Sequence, residues 1–99
     1  MELKSQTNGL ELTVSLNGEL NTLTAPELSA LLDKELPGMQ SLTLDFTGCD
    51  YVSSAGIRVL LATFKQLKSA KASMRLTNVG ENFSEVLENT GLDAVFDVQ

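Results

Sequence analysis

Leu10, Leu12, Val14 and Leu16 alternate with Glu11, Thr13 and Ser15, which is the period of a strand with one buried and one wet face. Glu2 to Thr7 reads as a weaker strand before it, and Asn8-Gly9 is the favoured two-residue hairpin turn that would pair the two. The period then becomes helical. Thr24-Ala-Pro-Glu27 fits a capping box, with Thr24 accepting from an early helical N–H, Glu27 reaching back, and Pro26 in the first turn where a missing donor is harmless. Leu28, Leu31, Leu32 and Leu36 fall on one face of this helix, and Pro37-Gly38 ends it. Ser41 to Phe46 alternates again, with Leu42, Leu44 and Phe46 on one side. Ile57, Leu60, Leu61, Phe64 and Leu67 recur at helical spacing, so a second amphipathic helix begins near Ser54 and runs to about Lys68. Ser73 to Thr77 is another short strand, Phe83, Val86 and Leu87 mark a third helix stopped by Thr90-Gly91, and Val95 to Val98 is a candidate edge strand.

Strands separated by helices of this length imply parallel crossover connections. The expected fold class is therefore α/β: one domain over residues 1–99, with helices packed against a mixed sheet and the N-terminal hairpin as its antiparallel part. A length of 99 residues, 42% hydrophobic and 20% charged, is that of an ordinary globular domain. The net charge of −6 argues against nucleic acid and anionic membrane surfaces as partners, because both are bound through clustered Lys and Arg. Met1-Glu-Leu-Lys4 is too polar to begin a secretory signal, and apolar runs such as Val59-Leu-Leu-Ala62 are too short to cross a bilayer, so a cytoplasmic location without membrane insertion is expected. Cys49 is the only cysteine, which excludes an intrachain disulfide and reads as a small buried apolar residue.

Composition also narrows the chemistry. Without histidine the chain cannot assemble a Ser-His-Asp or Cys-His nucleophile, and one thiol with no imidazole cannot complete a zinc site. Neither GxGxxG nor GxxxxGK[ST] occurs. Asp45, Asp50, Glu19 and Glu27 read as solubilising charge, and Lys65, Lys68 and Lys71 as a solvated face at a helix C-terminus. A Ser-Lys dyad using Ser54 is formally available, but no spacing selects it. What remains is Tyr51-Val-Ser-Ser-Ala-Gly-Ile-Arg-Val-Leu60, with two hydroxyls where a strand gives way to a helix. Ser53 fits an N-cap, and Ala55 and Gly56 are small enough to let the helix approach the sheet. Equally, the Ser54 hydroxyl would lie at the positive end of the helix dipole, beside free N–H groups that can hold an added phosphate. The local pattern leaves both readings open.

Gly18-Glu-Leu-Asn21, Thr24-Ala25, Leu44-Asp45 and the Tyr51–Leu60 stretch together resemble the STAS domain of bacterial anti-sigma factor antagonists, and the resemblance closes at Thr90-Gly-Leu92. It implies a four- or five-stranded sheet and a partner-switching, non-enzymatic function; no cofactor or metal is expected. The unmodified protein would bind an anti-sigma factor or serine kinase of the histidine-kinase-like ATPase type, freeing a sigma factor, and phosphorylation would release it until a PP2C-type serine phosphatase acts. The family's phosphorylated serine falls on Ser54, with Ser53 as second choice; Ser53 stands where Asp is common, as does Asn21. The implied partner-binding patch is Asn21, Thr22, Leu23, Tyr51, Ser53, Ser54, Gly56 and Arg58. The chain ends at Gln99, before a C-terminal helix that many members carry. Two further readings use the same surface: an accessory subunit of a lipid-transport or stress-sensing assembly that docks a partner unphosphorylated, and an enzyme with Ser54 as nucleophile.

Overall fold

The alternation read from the sequence becomes one buried sheet face in the computed structural model, which describes residues 1–99. Strands β1 (Glu2–Asn8) and β2 (Glu11–Asn17) form the hairpin. Helix α1 (Ala25–Glu35) leads to β3 (Ser41–Gly48), α2 (Ser54–Ser69) to β4 (Ser73–Thr77), and α3 (Glu81–Thr90) with a 3-10 turn at Leu92–Ala94 to β5 (Asp97–Val98). The sheet order is β1-β2-β3-β4-β5, with β1 antiparallel to β2 and every later pair parallel. Parallel crossovers are right-handed as a rule, so three successive ones in one direction place all three helices on the same face. The result is a two-layer α/β domain with a five-stranded mixed sheet, as expected.

Leu12, Val14 and Leu16 from β2, Leu42, Leu44 and Phe46 from β3, and Met74 and Leu76 from β4 supply the sheet side of the core. Leu28 and Leu32 of α1, with Leu36 just past its end, Leu60 and Leu67 of α2, and Phe83 and Leu87 of α3 pack onto them. Each fully buried side chain of this size contributes roughly 1.5–3 kcal/mol of transfer free energy, which outweighs any helix propensity at these positions. Phe46 and Phe83 meet with ring centroids 5.1 Å apart, pinning α3 to the centre of the sheet. The opposite sheet face carries Thr13, Ser15, Thr43, Asp45 and Arg75 and is open to solvent.

Four expectations are corrected. The hairpin turn is Gly9-Leu10 instead of Asn8-Gly9, because Asn8 pairs with Glu11 and Gly9 takes the positive φ of 64° that its missing side chain permits. Leu10 consequently leaves the strand and is exposed, held by its carbonyl accepting from the Gln40 and Ser41 N–H groups. Val86 and Val95 are exposed, and β5 is confined to Asp97–Val98 because the Val95 and Phe96 N–H groups both donate to the Leu92 carbonyl at the 3-10 turn instead of entering the sheet. On α2, Thr63 is buried, its hydroxyl donating 2.8 Å to the Val59 carbonyl, whereas Ile57, Leu61 and Phe64 are only partly covered. No helix is long and apolar enough to cross a membrane.

Candidate functional site

The C-terminal ends of β2 and β3 release two loops, residues 18–24 and 49–53, that remain zipped together. Gly18 N–H donates to the Gly48 carbonyl at 3.0 Å, Leu20 N–H to Tyr51 at 2.9 Å, and Ser53 N–H to Leu20 at 2.8 Å. Leu20 and Val52 form an isolated parallel bridge and are both buried, so the loops act as a short continuation of the sheet. Gly56 sits on this bridge: a Cβ there would lie 2.8 Å from Leu20 Cγ and 2.9 Å from Val52 Cγ1. Gly56 is therefore a buried packing position, correcting its expected place among the surface contact residues.

The two adjacent serines have separate roles. Ser53 is the N-cap of α2, in extended backbone, with its hydroxyl accepting from the Gly56 N–H at a long 3.5 Å. Ser54 is the first helical residue and is exposed; its hydroxyl has no protein hydrogen-bond partner. The N–H groups of Ser54 and Ala55 likewise have no acceptor, as is general for a first helical turn.

The start of α1 is built differently from the expected capping box. Asn21 Oδ1 accepts from the Leu23 N–H at 2.9 Å and the Thr24 N–H at 3.1 Å, so Asn21 caps a turn that precedes the helix. Thr24 Oγ1 points back, accepting from Asn21 N–H at 2.8 Å and donating to the Glu19 carbonyl at 2.6 Å. Thr24 makes no side-chain cap bond to the helix, and Glu27 is exposed. The capping box fails because the chain turns one step earlier than the motif assumes: Ala25 N–H already bonds the Asn21 carbonyl at 2.7 Å. The same tight turn pushes Leu23 outward to 84% exposure, next to exposed Thr22, while Tyr51 across the paired loops is 53% exposed.

Two carboxylates that read as surface charge hold the neighbouring loops. Asp50 accepts from Asn82 Nδ2 at 2.8 Å and, weakly, from the Phe83 N–H at 3.5 Å, serving the start of α3, where Gly80 has no side chain to do so. Any Cβ on Gly80 would collide with that carboxylate, which is the one hint the sequence contained. Asp45 accepts from the Thr47 hydroxyl at 2.6 Å, the Thr47 N–H at 3.0 Å and Asn78 Nδ2 at 3.0 Å. The Thr47 hydroxyl and then the Asn78 amide hold its carboxyl below the usual carboxylate range. Burial pushes the Cys49 thiol up, in keeping with its expected core position. No three His, Cys, Asp or Glu side chains converge in a way that would hold a metal ion.

Arg58, one turn after Ser54, is exposed and lines a groove of about 210 Å³ between α1 and α2 together with Ser29, Asp33 and Gln66. It forms no ion pair; the only two in the molecule are Lys4–Glu2 and Arg75–Asp97. Thr22, Leu23, Tyr51, Ser54 and Arg58 are exposed, on the two paired loops and the first turns of α2, while Asn21 is half-buried and Ser53 partly covered in capping roles.

The STAS domain model matches residues 2–99. BtrV of Bordetella bronchiseptica, a candidate anti-sigma factor antagonist, is 34% identical over 88 residues, which are 88% of this chain and 76% of that protein. The anti-sigma-B factor antagonist of Bacillus subtilis is 26% identical over 98 residues, 99% of this chain and 88% of that one. Among solved structures, the Bacillus cell fate determinant SpoIIAA in its phosphorylated form has the same fold, with a TM-score of 0.78 at 15% identity over 99% of this chain and 91% of that chain. With a match that runs from the first strand to the last residue, and with the helix-on-sheet order and zipped loops just described, the chain belongs to the STAS domain family.

Proposed function

We propose that this protein is an anti-sigma factor antagonist acting in the cytoplasm as a non-enzymatic partner switch. Unmodified, it binds an anti-sigma factor or serine kinase of the histidine-kinase-like ATPase type; phosphorylation of Ser54 releases it, and a PP2C-type phosphatase resets it. The observation that carries this reading is the exposed, uncommitted Ser54 hydroxyl, together with Leu23 at 84% and Tyr51 at 53% exposure on the paired loops that lead into α1 and α2. Large apolar side chains left in water beside a modifiable group suit a surface that another protein covers. The names of the relatives support the same role.

Magnitudes favour a veto on binding over a change of fold. Phosphoryl transfer forms a bond from Ser54 Oγ to the γ-phosphorus of ATP as ADP leaves, the hydroxyl proton passing to a base on the kinase. The product adds about −1.5 to −2 charges at pH 7. At a helix N-terminus that charge is favourable by about 0.3–1 kcal/mol, so α2 persists. Within a contact surface the same group must be desolvated, and a penalty of about 4 kcal/mol weakens binding roughly a thousandfold.

Incubation with a cognate serine kinase and ATP, followed by intact mass and peptide mapping, tests the reading. One added phosphate on Ser54, absent in Ser54→Ala, is expected. Failure of every such kinase to modify the chain, with a partner still bound, would replace the switch by an accessory docking role, and phosphate on Ser53 would move the site.

A further inference from the structure

Arg58 is an exposed cation without an ion-pair partner, one helical turn from the residue proposed to be modified. We infer that phosphoserine 54 is held within the molecule by Arg58, so that modification adds a negative group to the contact surface and withdraws a positive one from it. The inference rests on Ser54 being the modified residue and deepens that reading.

The geometry follows from the helix. Residues four apart lie on the same face, about 5–6 Å apart at Cβ, and an acid placed N-terminal to a base is the favourable order. In the unmodified protein Arg58 lines the groove beside Asp33 and Gln66, but helical side chains lean toward the N-terminus, so its long side chain has the reach to swing back over the turn that begins with Ser54. Three donors then converge on the phosphate: the guanidinium, which binds phosphate in a bidentate fork, and the N–H groups of Ser54 and Ala55, which now have no acceptor.

No other cation on α2 can replace it. Lys65 lies eleven positions beyond Ser54, about 16 Å at the helical rise, and Lys68 is further still. Lys34 sits in the last turn of α1, at the far end of that helix. The one carboxylate facing Arg58 from α1 across the groove is Asp33, and the two form no ion pair. A dianion on the same helical turn competes with Asp33 at an advantage in both charge and proximity. The unmodified protein therefore presents Arg58 free to pair with a carboxylate on the partner, and the modified protein does not.

The test installs phosphoserine at position 54 during synthesis, so that no kinase is needed, and follows the phosphorus NMR signal through a pH titration in the otherwise unchanged chain, Arg58→Lys and Arg58→Gln. The second ionisation of the phosphate, about 6 for a free phosphoserine, is expected to lie a few tenths of a pH unit lower in the unchanged chain than in Arg58→Gln. Arg58→Lys should fall between them, and the difference should shrink as salt is raised. Coincident titrations in all three proteins would overturn the inference while leaving Ser54 as the switch. Conversely, a chain that no kinase modifies would remove the proposed function and leave the titration result standing. Arg58 is exposed, so its variants should fold; matching amide spectra away from α2 would establish that the phosphate alone was affected.

Discussion

Two helices begin side by side at the top of this sheet, each with a hydroxyl in its opening residues, and they treat that hydroxyl in opposite ways. At α1, Thr24 Oγ1 is used twice within the protein, accepting from Asn21 and donating to Glu19, and Asn21 Oδ1 is used twice more. At α2, Ser53 supplies the cap alone, through a single long bond, and leaves Ser54 with nothing to hold. The difference teaches that a helix start becomes available for modification when a neighbour has already taken over its structural duty. A hydroxyl that closes a turn must break that turn to react, whereas a spare one reacts without cost to the fold.

This contrast can be broken in several ways. The largest effect is expected from the spare hydroxyl itself: phosphorylation at Ser54 should lower affinity for a binding partner roughly a thousandfold by titration calorimetry while leaving the thermal midpoint nearly unchanged. A fall in midpoint alongside the fall in affinity would show that the α2 start carries a structural load after all. Next, Gly56→Val should cost about 3 kcal/mol in urea denaturation, because its branched side chain must displace Leu20 and Val52 beneath the site. An unchanged midpoint would mean that the zipped loops are softer than their hydrogen bonds suggest.

Smaller differences sharpen the comparison. Asn21→Ala or Thr24→Val should each cost about 1 kcal/mol, whereas Asn21→Asp retains both acceptor bonds and should be close to neutral. Ser54→Ala should lie within about 0.5 kcal/mol of the unchanged protein, as for a surface residue without a partner. Equal losses at Thr24 and Ser54 would erase the distinction drawn here. Finally, the caps of α1 and α2 are neutral groups, so acid should act elsewhere, at Asp45. Its folded-state pKa is depressed, so its contribution is present above the unfolded value of about 3.9 and is lost as pH falls through the folded one. Asp45→Asn should flatten the acid side of the stability curve measured by denaturation at successive pH values.

Much of this was legible in the chain. Period-two alternation at Leu12, Val14 and Leu16 and helical spacing at Leu60 and Leu67 placed the layers, because burial of apolar area is the dominant local-to-global signal and its periodicity survives in one dimension. The Ser53-Ser54 pair also stood out, since caps have a strong residue preference. The capping box at Thr24 misled because it describes a helix in isolation; here the Glu19 carbonyl five residues back claimed the hydroxyl first. Gly56 had two readings by sequence, small for packing or small for a partner, and nothing one-dimensional separates them. Asp50 and Asp45 looked like solvent-facing charge because their partners, Asn82 and Asn78, are 32 and 33 residues away.

The sequence by itself determined most of the residues that would be inside, the order of strands and helices, and that a pair of serines would open the second helix. Only the tertiary structure decided which hydroxyls were already spent, which glycine faced inward, and that Leu23, Tyr51, Ser54 and Arg58 would all be left exposed. The physical reason is range: hydrophobic periodicity acts along the chain and can be read there, whereas a hydrogen bond goes to whichever donor or acceptor the fold brings within about 3 Å, and that choice exists only after the sheet has closed.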